Sequence, residues 1–144
     1  MRKVLFVCMV LCFILCGCQN KENPDASEYQ DELSKAQEIT IVSEDTSNVT
    51  KTITKDKDLK KFVNTLDLKH WKLGELPDDA KKTGTFGFSQ EETIKLGETK
   101  PDEKLYDVCE ITTYDQPYID LEMGDIHIVF QITEEAADDL NNYF

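Results

Sequence analysis

Apolar and polar residues alternate over much of this chain, a pattern typical of β-strands. Eight segments rich in β-branched and aromatic residues are bounded by polar turns, glycine or proline, and each fits a strand. They lie at 38–42, 49–54, 71–73, 84–88, 93–96, 105–114, 118–123 and 126–131. Because the turns between most of them are short, we expect mainly antiparallel pairing.

The last two strands can be aligned residue by residue. Gly124-Asp125 suits a two-residue turn with glycine first, and this register collects the apolar side chains on one face. The apolar pairs are Met123 with Ile126, Leu121 with Ile128 and Ile119 with Phe130. On the other face Glu122 lies opposite His127. We interpret that pair as an exposed ion pair worth a few tenths of a kcal/mol, because no Ser or Cys nucleophile is placed beside it for acid–base catalysis.

Two segments have the helical period instead. Between residues 56 and 68 the apolar side chains fall at i, i+3, i+4 and i+7, with Asp56 or Asp58 as the cap. These side chains are Leu59, Phe62, Val63 and Leu66. Thr133 is suited to cap a second short helix that runs to the C-terminus.

Eight antiparallel strands are enough to close a barrel, and closure removes exposed sheet edges. The sequence therefore predicts a mainly β fold: an eight-stranded antiparallel barrel with one short mid-chain helix and one short C-terminal helix. A curved open antiparallel sheet packed on the helix, an α+β fold, accounts for the same alternation.

The first residues follow another pattern. Arg2 and Lys3 precede an apolar run that is too short to span a bilayer, and the run ends in Leu15-Cys16-Gly17-Cys18. This stretch resembles the signal peptide and lipobox of bacterial lipoproteins, in which a cysteine that follows a small residue receives a diacylglyceryl group and becomes the new N-terminus.

The resemblance implies a signal peptide at 1–17, a lipidated Cys18, and attachment to the extracytoplasmic face of a Gram-positive cell membrane. Residues 18–37 are polar and are predicted to form a flexible tether with a reach of about 25 Å. Residues 38–144 would then form a single domain.

Charge excludes some partners. Removing residues 1–17 takes two basic and no acidic residues from the 16 basic and 29 acidic residues of the chain, which leaves 14 and 29, a net charge of −15. Such an excess of acid repels nucleic acid and argues against lying flat on an anionic membrane.

Little in the mature sequence suggests catalysis. Cys109 is the only cysteine after Cys18, so an internal disulfide is excluded, and we interpret it as a small core residue. No calcium-loop, zinc or phosphate-loop spacing is present. We therefore expect no catalytic residues, no metal and no cofactor; the chain is expected to be a monomer and not an enzyme.

The apolar and aromatic residues leave two alternatives. In a barrel of about eight strands they either fill the interior or line a cavity for one small ligand. The candidate ligand-binding residues are Trp71, Phe86, Phe88, Leu121, Ile128 and Phe130.

A second resemblance favours the cavity. The run Ile111–Tyr118 resembles the T-D-Y motif of lipocalins, with Thr112 and Tyr114 at the threonine and tyrosine and Thr113 in place of the aspartate. The G-x-W motif of lipocalins is absent, because Lys69 lies two residues before Trp71. In length and lipobox the chain is also similar to a family of small Bacillus-type lipoproteins with slim, lipocalin-like (calycin) barrels.

The resemblance implies a membrane-anchored protein that holds a small hydrophobic molecule or lipid in its barrel. The alternative, which the charge favours, is an interaction or immunity-type lipoprotein whose acidic surface captures a cationic peptide or protein. A steep loss of binding with salt would distinguish it.

Overall fold

A computed structural model of the chain describes residues 26–92 and 104–144. The strands are β1 (Glu38–Ser43), β2 (Val49–Ile53), β3 (Lys72–Leu73), β4 (Lys82–Glu91), β5 (Leu105–Tyr114), β6 (Tyr118–Met123) and β7 (Ile126–Gln131). The α-helices are α1 (Gln30–Ser34), α2 (Asp56–Thr65) and α3 (Glu134–Asn141), and 3-10 turns cover Ala26–Tyr29 and Leu68–His70.

The seven strands form one antiparallel sheet in the order β2-β1-β4-β5-β6-β7-β3. This sheet is open, so the closed eight-stranded barrel is wrong and the alternative open sheet is confirmed. A barrel would need β2 to pair with β3, but these two strands lie at opposite ends of the order, and helices cover one face. The predicted strand at 93–96 lies outside the described residues.

The sheet has one face covered by helices, which we call the core face. Phe62 of α2 packs its ring 4.8 Å from that of Phe86 and 6.0 Å from that of Phe88, measured between ring centres. Each large side chain fully buried in this way contributes about 1.5–3 kcal/mol. The strand side chains of the core face are Ile39, Ile41, Phe86, Phe88, Ile111, Ile119, Leu121 and Phe130, all of them fully buried.

Both helices predicted from the helical period of the sequence are present, as α2 and α3. Leu59, Phe62, Val63 and Leu66 are all buried, which confirms the apolar stripe of α2. Its cap differs, because the N-cap residue is Lys55 and makes no side-chain cap hydrogen bond. In α3 the prediction is confirmed: the Thr133 hydroxyl accepts a hydrogen bond of 3.2 Å from the Ala136 amide.

Residues 26–37, which the sequence assigned to a flexible tether, instead pack on the sheet. Leu33 and Ala36 are buried against α2, and the Gln37 amide donates to the Ser89 carbonyl at 2.9 Å. The folded unit therefore begins by Ala26 rather than at 38. Although this segment is mostly polar, its few apolar side chains, Ala26, Leu33 and Ala36, are buried. Residues 18–25, including Cys18, lie outside the described residues.

The predicted register of the last hairpin is confirmed at all six pairs, from Met123 with Ile126 to Tyr118 with Gln131. Gly124 has a φ of 58°, the positive value that the first position of such a turn requires.

Candidate functional site: an acidic groove on the uncovered sheet face

The six residues predicted to bind a ligand are brought together, but as a core. Phe86, Phe88, Leu121 and Phe130 are fully buried, Trp71 is buried and Ile128 is partly buried. The Trp71 ring lies 5.1 Å from that of Phe130, and its Nε1 donates to the Leu66 carbonyl at 2.6 Å. Of the two alternatives that the sequence left open, the structure favours the filled interior, because helices occupy the space that a barrel would have enclosed.

The opposite face of the sheet, which we call the outer face, bears a groove. Its volume is about 430 Å³ and it opens to solvent across β1, β4, β5 and β6. The residues that line it are Thr40, Val42, Thr85, Gly87, Asp107, Val108, Cys109, Glu110, Glu122 and Gly124. None of the six predicted ligand residues is among them.

A β-bulge in β5 shapes this groove. Cys109 pairs with Phe88 and Asp107 with Ser89, so Val108 is left without a partner on β4. A bulge re-aims the side chains of its strand. Three successive residues of β5, Asp107, Val108 and Cys109, therefore border the groove, although Cys109 pairs with Phe88 of the core face and belongs to the core.

Three carboxylates give the groove its charge. Asp107, Glu110 and Glu122 are exposed, and no basic residue is found among the described residues that line the groove. Glu110 pairs directly with Glu122 across β5 and β6, so two like charges share one face. Such a pair destabilises the sheet. The Asp107 carboxylate accepts a hydrogen bond of 2.7 Å from the Ser89 hydroxyl, which fixes its position.

The floor and walls of the groove are small or apolar. Val42 and Val108 supply apolar surface, and Gly87 leaves room, since a Cβ there would meet its nearest neighbour, the Thr40 hydroxyl oxygen, only at 3.8 Å. The groove therefore combines apolar contact area with a negative rim.

The acid and histidine pair differs from the one predicted. Glu122 and His127 are opposite each other as expected, but the His127 Nε2 lies 2.7 Å from an Asp120 carboxylate oxygen instead. The other oxygen of Asp120 is buried and has no hydrogen-bond partner among the described residues. Burial, and then the charge of Asp120, raise the pKa of Tyr114. The negative charge of this face thus continues from the groove along β6.

Cys109 lies at the boundary of the groove but is only 5% exposed. Burial, and then the nearby charge of Glu110, raise the pKa of its thiol to about 12. Because the thiolate is the nucleophile, a thiol with this pKa is inert near neutral pH. The prediction that Cys109 is a core residue is confirmed.

Two further features bear on the class of protein. In the described ranges no group of three or more His, Cys, Asp and Glu side chains is arranged to hold a metal ion. Of the helices in those ranges, none has the length and apolar character needed to cross a membrane.

No protein-family model, curated protein or solved structure matches the chain. Its function must therefore be argued from the groove and from the sequence.

The groove residues were not predicted from the sequence. The predicted register covers β6 with β7 but not with β5, although Asp115-Gln116-Pro117 marks the turn between β5 and β6. Aligning that pair would have placed Glu110 opposite Glu122. The bulge at Val108 has no comparable signal in the sequence.

Proposed function

We propose that the chain is a membrane-anchored extracytoplasmic lipoprotein, held by a lipid on Cys18, that captures a cationic peptide on its outer face. The observation that supports it most is the groove: three exposed carboxylates beside apolar surface, with no basic residue in its described lining. The net charge of −15 expected for the chain after cleavage adds long-range attraction for such a partner.

The chemistry of the groove defines the ligand class. Asp107, Glu110 and Glu122 attract lysine or arginine side chains, and Val42 and Val108 offer contact to apolar ones. An amphipathic cationic peptide provides both. A ligand cation between Glu110 and Glu122 also relieves the repulsion between these two carboxylates, which is a gain that a neutral ligand does not provide.

Calorimetric titration of residues 19–144 with a synthetic peptide of lysine and leucine tests the proposal. A peptide with glutamate in place of lysine is the control. We expect binding of the lysine peptide alone, with an affinity that falls steeply as salt is raised, because exposed charges are screened beyond about 10 Å at 0.1 M salt.

Variants locate the site. Glu110→Gln combined with Glu122→Gln should weaken binding by about tenfold if each carboxylate contributes about 0.7 kcal/mol. Asp138→Asn with Asp139→Asn removes the same charge from α3 and is the matched control, since both residues are exposed there. Gly87→Val should block the groove by volume alone. If the two double variants lose the same affinity for the peptide and Gly87→Val has no effect on it, the groove is not the binding site.

A small hydrophobic ligand remains the second candidate class, now without a barrel to enclose it. Native mass spectrometry of the same protein with fatty acids and lysophospholipids distinguishes the two. A one-to-one adduct with a fatty acid and no binding of the lysine peptide would reverse the order of the candidates.

A further inference from the structure

The described chain begins at one edge of the sheet. Ala26 is 3% exposed, and the 3-10 turn Ala26–Tyr29 contacts the turn Leu68–His70, which leads into β3. The Tyr29 ring lies 6.3 Å from that of Phe130 in β7, the strand that pairs with β3. The N-terminal segment that would link the domain to a lipid therefore enters the domain beside the edge formed by β3.

That segment is short. If Cys18 is the lipidated residue, eight peptide units separate it from Ala26, and even a fully extended chain of this length spans at most about 29 Å. The opposite edge, β2, lies six strand spacings from β3, which is also about 29 Å. The anchor thus keeps the β3 edge within about 29 Å of the lipid headgroups, whereas β2 can lie up to about 29 Å farther away.

Two lysines and one leucine at this edge can contact an anionic lipid surface. The Lys69 side chain is 76% exposed, Lys72 is exposed, and Leu73 is an exposed apolar residue at 44%. Asp67 offsets part of the charge, since it lies 3.8 Å from Lys69 and 2.6 Å from His70. Glu75 and Glu28 are also exposed beside this edge. Lysine heads pair with lipid phosphates, and a neighbouring leucine contributes apolar contact at the interface.

We propose that the β3 edge, formed by Lys69, Lys72 and Leu73, contacts the anionic surface of the membrane that holds the lipid anchor. The sheet then stands upright on the bilayer, and the groove on its outer face opens to the side, accessible to a ligand that moves along the membrane. This orientation rests on the proposed lipidation of Cys18. It also agrees with the charge argument against lying flat, because only one edge touches the lipid.

Two reporters, each with one introduced cysteine, test the orientation. Leu73→Cys marks the β3 edge, and Val49→Cys, at a residue 57% exposed on β2, is the matched control at the other edge. Each full-length variant is produced in a Gram-positive host, purified with its lipid and reconstituted in vesicles of phosphatidylcholine and phosphatidylglycerol. A thiol-reactive fluorophore labels the introduced cysteine selectively, since Cys109 is buried. Lipids with a nitroxide on the headgroup then act as short-range quenchers.

We expect strong loss of fluorescence at position 73 and little at position 49. Lys69→Glu with Lys72→Glu should reduce the loss at 73. The pair Lys55→Glu with Lys57→Glu makes the same charge change near β2 and should leave the loss at 73 as it was. Equal quenching at the two positions, or equal effects of the two charge pairs, would overturn the orientation.

Mass spectrometry of the same samples separates this proposal from the one on which it rests. A Cys18 without its diacylglyceryl group would overturn the anchor and the orientation together. A lipidated protein with equal quenching at positions 73 and 49 would overturn the orientation alone, and binding of the cationic peptide would be unaffected.

Discussion

Two residues on the outer face lower the stability of the sheet. Glu110 and Glu122 are paired directly across β5 and β6, and both are exposed. Two like charges in this position are destabilising, whereas a Thr, Val or Tyr would favour the strand. The repulsion between these carboxylates lies at the rim of the groove, where a bound cationic ligand would relieve it.

Removing one of these charges should therefore stabilise the protein. We expect Glu122→Gln to raise the free energy of unfolding by about 0.2–1 kcal/mol, measured by urea denaturation at low salt. The same change in a Glu110→Gln background is the control and should give no gain, because the repulsion is already absent. A loss of stability for Glu122→Gln alone would mean that Glu122 makes a favourable contact that outweighs the repulsion.

At the scale of elements, the contribution of the short helix α1 to stability can be tested, because this segment was predicted to be part of a flexible tether. Leu33 is fully buried and lies with Leu59 and Val63 at the contact between α1 and α2. We expect Leu33→Ala to lower the free energy of unfolding by about 2–5 kcal/mol. Asp31→Ala, at an exposed position of the same helix, should change it by less than about 0.5 kcal/mol. Similar small effects of the two variants would indicate that α1 is not part of the cooperative unit.

Strand β4 offers a second comparison, between two glycines on opposite faces of the sheet. A Cβ at Gly84 would clash with the ring of Phe144 and with the Val42 carbonyl, whereas at Gly87 it meets nothing closer than 3.8 Å. We expect Gly84→Ala to destabilise the protein by about 1–3 kcal/mol, because the C-terminal residues must shift. Gly87→Ala should be neutral or stabilising by up to about 1 kcal/mol. Thermal denaturation of the two variants decides, and equal destabilisation would contradict the docking of Phe144 on β4.

The elements also show how far the sequence alone could go. Periodicity located α2, α3 and the register of β6 with β7, because each depends on local spacing and one turn. It could not distinguish a barrel from an open sheet, since both bury one face of every strand. That choice depends on the pairing of β3 with β7 and on how helices cover the core face, which are contacts between distant segments. The groove was missed for the same reason, as it joins side chains from four strands.

At the scale of the whole molecule, the charge distribution and the fold support one arrangement. The core face is covered by helices, and the groove on the outer face, at about 430 Å³, is larger than the clefts of about 160–200 Å³ among the helices of the described residues. Acidic residues concentrate at the groove and on α3, while Lys69 and Lys72 lie at the edge where the chain enters. The proposed arrangement places Lys69, Lys72 and Leu73 toward anionic lipid and leaves the acidic groove for a cationic ligand.

The free energy of unfolding of the whole domain should fall at alkaline pH, because three groups have raised pKa values in the folded state. Burial raises the pKa of the Cys109 thiol to about 12, and it also raises the pKa values of Tyr114 and Tyr143 above their ordinary value. Each group loses its proton at lower pH in the unfolded chain than in the folded one. Unfolding therefore becomes more favourable as pH rises above about 9, with a slope of at most about 1.4 kcal/mol per pH unit from the buried thiol.

In the unfolded chain the thiol loses its proton at lower pH than the two tyrosines. Its contribution to the loss of stability can therefore be isolated between pH 9 and 10. Free energies of unfolding from urea titrations at a series of pH values should decline over this window in the native sequence. In Cys109→Ala the protein should be less stable at neutral pH, because a buried side chain is shortened, yet the decline from pH 9 to 10 should be shallower. Parallel pH profiles for the two proteins would show that the Cys109 thiol is not sealed from water.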